Sequence, residues 1–416
     1  MLPRKWFVVA AGFVLAYMAV GFSFTIGALF PDIMEEFDSA TAQTIAVQST
    51  NIATSSIICA VSGVVVHRYG LRRAGAMGIL LSFLGLSSSY FANGIIYLIM
   101  SVGIITGTGA SLMYLTAILA TGQYFDKKHN AIAVACVLTG VSVGGLTLPM
   151  VMLKLTEYYG LQGALLVFSG LCLHCLVVLF AFKEYKSPPT HPDLHENDGG
   201  IINDLFQIFK CKVFITLTFA ISTSIACIEL LVITVVDYSR ELGFSKEDGV
   251  FVLLLMNISN LFGRLFPGIL KQLPNISVLA IPVVHCVVAS MTMCLLTLVT
   301  SYWQLASLMC LGHFIHGGFY TIIPLSVIRL LPSRLVSLGT GILFSLLGVL
   351  EMTLGPAAGA VKDRYDSYHM AYYGAASCIV ICSLLFSAIY ISMKNPFTTR
   401  EHTLNSGGET DKEMVT

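Results

Sequence analysis

The chain has 416 residues, of which 56% are hydrophobic and 11% are charged, with a mean hydropathy of +0.81. Soluble domains carry roughly 25% charged residues, so this composition cannot coat a water-facing surface of this size. It excludes a soluble enzyme and a disordered chain. The 23 basic and 23 acidic residues cancel, which also excludes a nucleic-acid binder. The composition predicts a membrane protein, with the lipid bilayer as its first partner.

Long apolar runs divide the chain into helices that can cross a bilayer, which takes about 20 residues each. The first run is too long for a cleaved signal peptide, so we expect it to be retained. The sequence predicts an all-α membrane protein with twelve spans, at 6–31, 43–66, 74–93, 95–119, 130–153, 160–182, 213–236, 249–270, 276–300, 303–328, 335–361 and 369–393.

The basic residues are distributed unequally between the two sides of these spans. Of the 23 Lys and Arg residues, 17 fall on the side of both termini, five fall on the other side, and Arg264 lies within a span. Because cytosolic loops are enriched in Lys and Arg, we expect both termini in the cytosol. The plasma membrane is the expected location, since the sequence shows no organelle signal.

A polar stretch separates the first six spans from the last six. It contains Ser187-Pro188-Pro189 and Gly199-Gly200, which are typical of a solvated linker. We expect an N-terminal six-helix bundle at 1–182, a cytosolic linker at 183–212, a C-terminal six-helix bundle at 213–393 and a cytosolic tail at 394–416. Two halves of equal span number are a sign of transporter architecture.

The loop after the second span reads Gly63-Val-Val-Val-His67-Arg68-Tyr69-Gly70-Leu71-Arg72-Arg73. It resembles the cytosolic loop motif of the major facilitator superfamily, in which glycines and basic residues flank an acidic residue. His67 stands at the position of the acidic residue, so the sequence does not decide whether a charge interaction joins this loop to a neighbouring helix. A plain cytosolic cluster of basic residues would account for the arginines equally well. The candidate motif residues are Gly63, Arg68, Gly70, Arg72 and Arg73.

Three further segments resemble the monocarboxylate transporters of that superfamily. They are Tyr124-Phe125-Asp126-Lys127-Lys128-His129 with the small residues up to Gly145, Gly21-Phe22-Ser23-Phe24 through Glu36-Phe37, and Gly355-Pro356-Ala357-Ala358-Gly359 with Asp363 and Ser367-Tyr368. The resemblance implies the major facilitator fold, with two six-helix halves around a central cavity. Pro3-Arg4-Lys5-Trp6 replaces the family's acidic-Gly-Gly-Trp opening, which indicates a divergent member.

The predicted cytosolic segments carry no motif of ATP hydrolysis, zinc binding, dinucleotide binding or nucleophilic catalysis. We therefore expect no enzymatic activity, no cofactor and no metal.

Three charged residues lie within predicted spans: Glu229, Arg264 and Glu351. A charge inside a membrane costs about 2.5–3.5 kcal/mol on insertion scales, so each needs a function or a partner. Counting the helical rise from the span ends places all three at a similar depth near the middle of the membrane. A structural ion pair among them is one interpretation, and a substrate site in the cavity is the other.

Arg264 is the best candidate for binding an anion, because its planar guanidinium can hold a carboxylate by two hydrogen bonds. In the monocarboxylate transporters an arginine on the eighth span is a substrate residue, and Asn260-Leu-Phe-Gly-Arg264 resembles that segment. Asn260 lies one turn before Arg264, on the same face. Phe319 and Tyr320 are candidates for the wall of the same site, although aromatic residues there also suit simple packing.

Proton coupling has fewer candidates here than the resemblance implies. The family's proton-coupled carriers have an aspartate at the place of Asn260, and an amide cannot exchange a proton as a carboxylate can. Their first-span lysine is also missing from Ile26-Gly27-Ala28-Leu29. Glu229 or Glu351 could replace the aspartate. His313 and His316, three residues apart on one helical face, are either proton or substrate contacts or neutral structural imidazoles.

The sequence thus predicts a carrier of a small monocarboxylate or related organic anion that works by alternating access, with H⁺ as the candidate coupling ion. Uncoupled, facilitated transport is equally open. A carrier of a neutral, zwitterionic or aromatic solute is the alternative that the missing lysine and the two extra acids favour. A non-transporting receptor or scaffold would need large soluble domains, which the sequence does not contain. Some members of the family pair with a single-span glycoprotein, and the sequence leaves such a partner open.

Overall fold

The computed structural model describes residues 4–39, 41–125, 129–182, 201–270 and 281–394. Asp126, Lys127 and Lys128 of the resemblance, the linker part 183–200, the predicted turn 271–280 and the tail 395–416 lie outside the described residues. The helices are α1 Arg4–Ala28, α2 Phe30–Phe37, α3 Thr41–Ile57, α4 Cys59–Tyr69, α5 Leu71–Ser88, α6 Ile95–Leu98, α7 Thr106–Tyr124, α8 Asn130–His174, α9 Ile201–Lys210, α10 Lys212–Glu241, α11 Lys246–Leu270, α12 Ile281–Leu296, α13 Tyr302–Leu330, α14 Val336–Tyr365 and α15 His369–Lys394.

The described helices are compatible with the predicted spans. Nine of the helical stretches in the described ranges are long and apolar enough to cross a membrane, or ten when α3 and α4, which meet at 46°, count as one span. One of the nine, Asn130–Ala181, contains the predicted fifth and sixth spans, and the shorter apolar helix α12 matches the predicted ninth. The tally is consistent with twelve spans.

The fifth and sixth spans are joined differently from the expectation. The sequence predicted a loop at 154–159, whereas α8 runs through this region as helix and breaks only at Gly160, which has φ +67°. A residue with a Cβ adopts such a positive φ only with strain, whereas glycine adopts it freely. One glycine therefore replaces the predicted loop.

Small residues allow the helices within each half to approach closely. In the first half, Gly140 and Gly144 of α8 face the backbone carbonyls of Phe13 and Tyr17 on α1. In the second half, Gly263 of α11 faces the backbone of α13 in the same way. Lipid provides no hydrophobic drive for helix association, so this close packing supplies much of the attraction.

The two ends of the bundle differ in charge. The end at which α1 begins, α4 meets α5 and α13 meets α14 carries Arg68, Arg72, Arg73, Arg329 and Arg334. We call it the basic end, and the other one the opposite end. The Lys and Arg distribution predicts that the basic end faces the cytosol.

The halves are in contact at the basic end. Gly63 of α4 faces the carbonyl of Ser337 on α14. At the bend between α3 and α4, Ser345 Oγ of α14 donates to the carbonyl of Ile57 at 2.6 Å and accepts from the backbone N–H of Ala60 at 2.8 Å. The second half thus supplies hydrogen bonds that the bend leaves open in the first half.

The outside of the bundle is apolar. Large side chains such as Ile96 and Leu298 are 75% and 71% exposed, and Trp303 is 73% exposed. A surface of this kind is unfavourable in water and favourable against lipid tails. The structure is therefore that of an all-α membrane bundle, as the composition predicted.

Candidate functional site

A cavity of about 1090 Å³ lies between the halves. The first half lines it with neutral groups from α1, α3, α4, α7 and α8, including five serines and Tyr114. The second half contributes the charged and titratable side chains from α10, α11, α13 and α14, which are Glu229, Arg264, His313, His316 and Glu351. The structure therefore brings all three predicted intramembrane charges to one cavity and places them on one of its two walls.

Arg264 of α11 is 5% exposed, and it uses only part of its guanidinium within the protein. Its Nε donates to Asn260 Oδ1 at 2.8 Å, and its guanidinium carbon lies 5.2 Å from the centre of the Tyr320 ring. Its Nη1 has no hydrogen-bond partner among the described residues. A buried donor without a partner is costly, so this atom favours an incoming acceptor.

Asn260 connects three helices around the arginine. Its Oδ1 accepts from Arg264 Nε and also from Ser142 Oγ of α8 at 3.0 Å, and its Nδ2 donates to the carbonyl of His313 on α13 at 3.2 Å. Both ends of the amide are thus used. A carboxylate at this position could accept the first two bonds but could not donate the third.

The two histidines form a stacked pair beside a carboxylate. The rings of His313 and His316 are 4.9 Å apart and inclined by 20°. His316 Nε2 lies 2.7 Å from Glu229 Oε2 of α10, which is an ion-pair distance when the imidazole is protonated. This contact joins α10 to α13 and offers a place to hold a proton inside the cavity.

Tyr320 stands between Arg264 and Glu351. Its ring faces the Arg264 guanidinium, and its hydroxyl donates to Glu351 Oε1 at 3.1 Å. The same ring stacks on Phe344 of α14 with centres 6.5 Å apart. Tyr320 is therefore a wall of the cavity, where the sequence placed it.

The structure does not bring the other predicted aromatic residue to the cavity. Phe319 is fully buried on the far side of α13, where its ring lies 5.3 Å from His285 and 6.5 Å from Phe386. Neighbouring residues on a helix point about 100° apart, so only one of the two consecutive aromatic residues can face the cavity. Phe319 belongs to the packing between α12, α13 and α15.

The loop-motif residues lie at the basic end, away from the cavity. Gly70, with φ +80°, makes the turn between α4 and α5. The Arg72 guanidinium lies 4.8 Å from the centre of the Phe180 ring, and that of Arg68 lies 5.7 Å from the centre of the Tyr69 ring. These contacts are aromatic rather than ionic.

The motif's histidine has an acidic partner that the sequence did not reveal. His67 Nε2 lies 3.2 Å from Asp204 Oδ2, and Arg334 Nη2 lies 3.3 Å from Asp204 Oδ1. Arg334 also donates to Gln207 Oε1 at 2.5 Å. Asp204 and Gln207 are on α9, a helix within the predicted linker. We call His67, Asp204 and Arg334 the linker latch, because they join the first half, the linker and the second half.

Sequence reasoning missed α9, and with it Asp204. The signal was present in Ile201-Ile202-Asn203-Asp204-Leu205-Phe206-Gln207-Ile208-Phe209-Lys210, where apolar residues recur at helical spacing. It also missed Ser142 and Tyr114, since a hydroxyl in an apolar span gives no indication of the direction it faces.

The described part of the chain contains no group of three or more His, Cys, Asp or Glu residues that could hold a metal ion.

Comparison with known proteins agrees with this architecture. A family model described as the Major Facilitator Superfamily matches residues 9–350. Monocarboxylate transporter 12 of Rattus norvegicus is 23% identical, over 95% of this chain and 88% of that protein. Monocarboxylate transporter 10 of the same species is 24% identical, over 99% and 82%. Monocarboxylate transporter 4 of Mus musculus is 25% identical, but the match spans 65% of this chain and only 58% of that protein.

Solved structures show the same fold. The crystal structure of the transporter FucP in its outward conformation has a TM-score of 0.76 and 14% identity, over 93% of this chain and 99% of FucP. The proton:xylose symporter XylE bound to 6-bromo-6-deoxy-D-glucose has a TM-score of 0.69 and 12% identity, over 92% and 94%. Identities this low show the fold alone. The chain belongs to the major facilitator superfamily, as a divergent relative of its monocarboxylate transporters, and is a membrane transporter rather than an enzyme.

Proposed function

We propose that this transporter carries a small organic carboxylate, a monocarboxylate or a related anion, and that Arg264 binds the carboxylate. The observation that carries the proposal is the buried guanidinium of Arg264 on the cavity wall, with Nη1 left without a partner. The names of the related monocarboxylate transporters support the same class of substrate.

The geometry explains how Arg264 would present its hydrogen-bond donors. Asn260 occupies the Nε edge of the guanidinium, and Tyr320 covers one of its faces. Tyr114 also interacts with the guanidinium, and Nη1 is left for the substrate. A carboxylate there accepts charge-assisted hydrogen bonds, which are the strong ones. The low dielectric of the surrounding protein strengthens the attraction, provided that the anion compensates for the desolvation of the arginine.

Transport would proceed by rocking of the two halves around this site. The contacts between α4 and α14 hold the halves together at the basic end, and the cavity-lining Phe24, nearer the opposite end, is 42% exposed. We infer that this conformation admits substrate from the opposite end. With the basic end in the cytosol of a plasma-membrane protein, substrate enters from outside the cell.

We further propose that a proton accompanies the substrate and is held by Glu229 and His316. These side chains are in contact at 2.7 Å at the cavity, whereas Asn260 has no exchangeable carboxyl proton. The naming of FucP as a fucose:proton symporter and of XylE as a proton:xylose symporter makes proton coupling a natural mechanism for this fold.

The test is uptake of radiolabelled monocarboxylates by cells that express the wild type or Arg264→Ala, at acidic and at neutral external pH. Surface labelling verifies that equal amounts of both proteins reach the membrane. We expect saturable uptake by the wild type that rises in acid, and a loss of at least about ten-fold in Arg264→Ala. Equal uptake by the two proteins at equal surface amounts would refute the role of Arg264.

A further inference from the structure

Glu351 is a carboxylate at the cavity wall without a cationic partner. Its Oε1 accepts from the Tyr320 hydroxyl at 3.1 Å, but no Lys, Arg or His among the described residues lies within ion-pair distance of it. A phenol supplies a hydrogen bond and no charge. Because a charge at this depth in a membrane is expensive, the ionised form of this carboxylate is stabilised by a positive partner.

The other charges of the cavity do not supply one. Glu229 lies against His316, and Arg264 contacts the neutral side chains of Asn260, Tyr114 and Tyr320. The cavity therefore contains one cation and one carboxylate that lack partners of opposite sign. The Tyr320 ring stands between them, with the guanidinium at its face and the carboxylate at its hydroxyl.

Aromatic rings line the same cavity as the carboxylate. Phe344 precedes Glu351 by seven residues on α14, which places both on the same helical face. Its ring stacks on Tyr320 at 6.5 Å and meets the edge of Tyr114 at 5.5 Å. A carboxylate in a cavity lined by aromatic rings is the chemistry that recognises an ammonium group, by charge and by cation–π attraction.

We propose that Glu351, Tyr320 and Phe344 form a cation subsite, so that the preferred substrate is a carboxylate that also carries an ammonium group. The inference rests on the proposed function, because Arg264 must hold the carboxylate end. A zwitterion supplies one charge of each sign and so neutralises Arg264 and Glu351 together. A simple monocarboxylate neutralises Arg264 alone and leaves Glu351 unpaired.

The experiment compares substrates that differ only in the amino group. Radiolabelled alanine and phenylalanine are measured against propionate and phenylpropionate in cells that express the wild type, Glu351→Gln or Glu36→Gln. Glu36 is an exposed residue of α2 outside the cavity, so its variant is the control. In the wild type we expect the amino compounds to be taken up faster than their partners, and to compete with them for uptake.

In Glu351→Gln the ratio of amino to des-amino uptake should fall by at least about ten-fold, while Glu36→Gln keeps the wild-type ratio. If Glu351→Gln does not reach the surface, the cation subsite is tested in the wild type instead, by whether the amino compounds compete with the des-amino compounds for uptake. Arg264-dependent monocarboxylate uptake without transport of the amino compounds or competition by them would overturn the cation subsite and leave the proposed function intact. Uptake of both classes that ignores Arg264 would overturn the proposed function itself.

Discussion

Asn260 decides how Arg264 is presented to the cavity. Its amide accepts from Arg264 and Ser142 and donates to the carbonyl of His313, so it fixes the guanidinium against both halves of the protein. A side chain with both an acceptor and a donor is needed for this arrangement. In the proposed function, Asn260 is therefore a positioning residue that acts on the substrate through Arg264.

Replacing Asn260 by leucine tests this role. The apolar side chain leaves Arg264 Nε and Ser142 Oγ without their acceptor, and each unsatisfied buried group costs about 1–3 kcal/mol. We expect the KM for the carboxylate to rise by about ten-fold or more, measured by uptake at equal surface amounts. Asn257→Leu is the matched control, since Asn257 also lines the cavity but, among the described residues, bonds only to the carbonyl of Leu253 on its own helix. Equal KM values for both variants would contradict the positioning role.

In the proposed mechanism, Glu229 holds the coupled proton together with His316. Glu229→Gln keeps the shape and removes the titratable carboxyl beside His316. The wild type should take up more carboxylate as the external pH falls, because protons then enter down their gradient with the substrate. Glu229→Gln should lose this stimulation while still exchanging internal for external substrate, which needs no net proton movement.

The exposed residue Glu157 provides the control for this prediction. Glu157→Gln should retain the stimulation by acid. Acid stimulation that persists unchanged in Glu229→Gln would place the coupling proton elsewhere.

For single residues, the sequence predicted which charged side chains lie at the same depth in the membrane, but not which side of its helix each aromatic or hydroxyl side chain faces. Glu229, Arg264 and Glu351 could be predicted to meet, because intramembrane charge is rare and helical rise gives its depth. Phe319 and Tyr320 could not be assigned to opposite sides of α13, since that depends on how the helix is rotated in the bundle. The hydroxyls of Ser142 and Tyr114 were missed for the same reason.

Among the helices, α4 and α14 form one of the contacts between the halves at the basic end. Gly63 lies so close to α14 that a Cβ at this position would be 2.6 Å from the carbonyl oxygen of Ser337. Backbone atoms cannot move aside as a flexible side chain can. The glycine of the loop motif is thus required by close approach of the two halves, beyond any role in the turn.

Gly63→Ala should therefore hinder closure at the basic end. Overpacking of this kind typically costs about 1–3 kcal/mol, so we expect a lower melting temperature in detergent and slower uptake. Gly374→Ala on α15 is the control, because a Cβ there meets nothing within 4 Å. An unchanged melting temperature and uptake rate in Gly63→Ala would show that α4 and α14 do not need this approach.

The linker latch is the second device at the basic end. Asp204 lies between His67 and Arg334, but Arg334 is 57% exposed at its side chain, so the interaction is screened by solvent and worth about 0–1 kcal/mol. We expect Asp204→Asn to weaken closure modestly. Its effect and that of Arg334→Gln should not add, because both remove the same contact.

Accessibility of Cys59 reports this effect, since Cys59 lines the cavity and its carbonyl faces Gly341 of α14. In a background without the other ten cysteines, a membrane-impermeant thiol reagent applied from the basic end should label Cys59 a few-fold faster in Asp204→Asn. Asp38→Asn, at the opposite end, should label like the parent. Identical labelling of all three proteins would show that the latch does not hold the halves together.

Helices were more predictable than their joints. Long apolar runs give the membrane helices directly, because lipid leaves the backbone no other partners. The break at Gly160 depends on its backbone angles. The bend between α3 and α4 depends on Ser345 in the other half of the protein. A run of apolar residues in the sequence predicts neither feature. The helix α9 shows periodicity in the sequence, but its place between His67 and Arg334 is a tertiary contact.

For the whole molecule, the two halves have different tasks. The first half offers a neutral, hydroxyl-lined wall, and the second carries the charges that recognise substrate and proton in the proposed function. Alternating access then needs only the contacts at the basic end to open while the charged wall stays intact. The sequence predicted the two halves and the position of the charges, whereas the contacts between α4 and α14 at the basic end came only from the structure.

In the proposed function, a carboxylate is bound by Arg264 while it is carried across the membrane. The most direct measurement is exchange transport in proteoliposomes that contain only the purified chain, using the radiolabelled carboxylate that cells take up fastest. The wild type and Arg264→Lys are compared, because lysine keeps the charge and loses the planar fork. We predict saturable exchange by the wild type and a loss of at least about ten-fold in Arg264→Lys. Absence of carboxylate exchange by the wild type, or equal exchange by both proteins, would contradict the account.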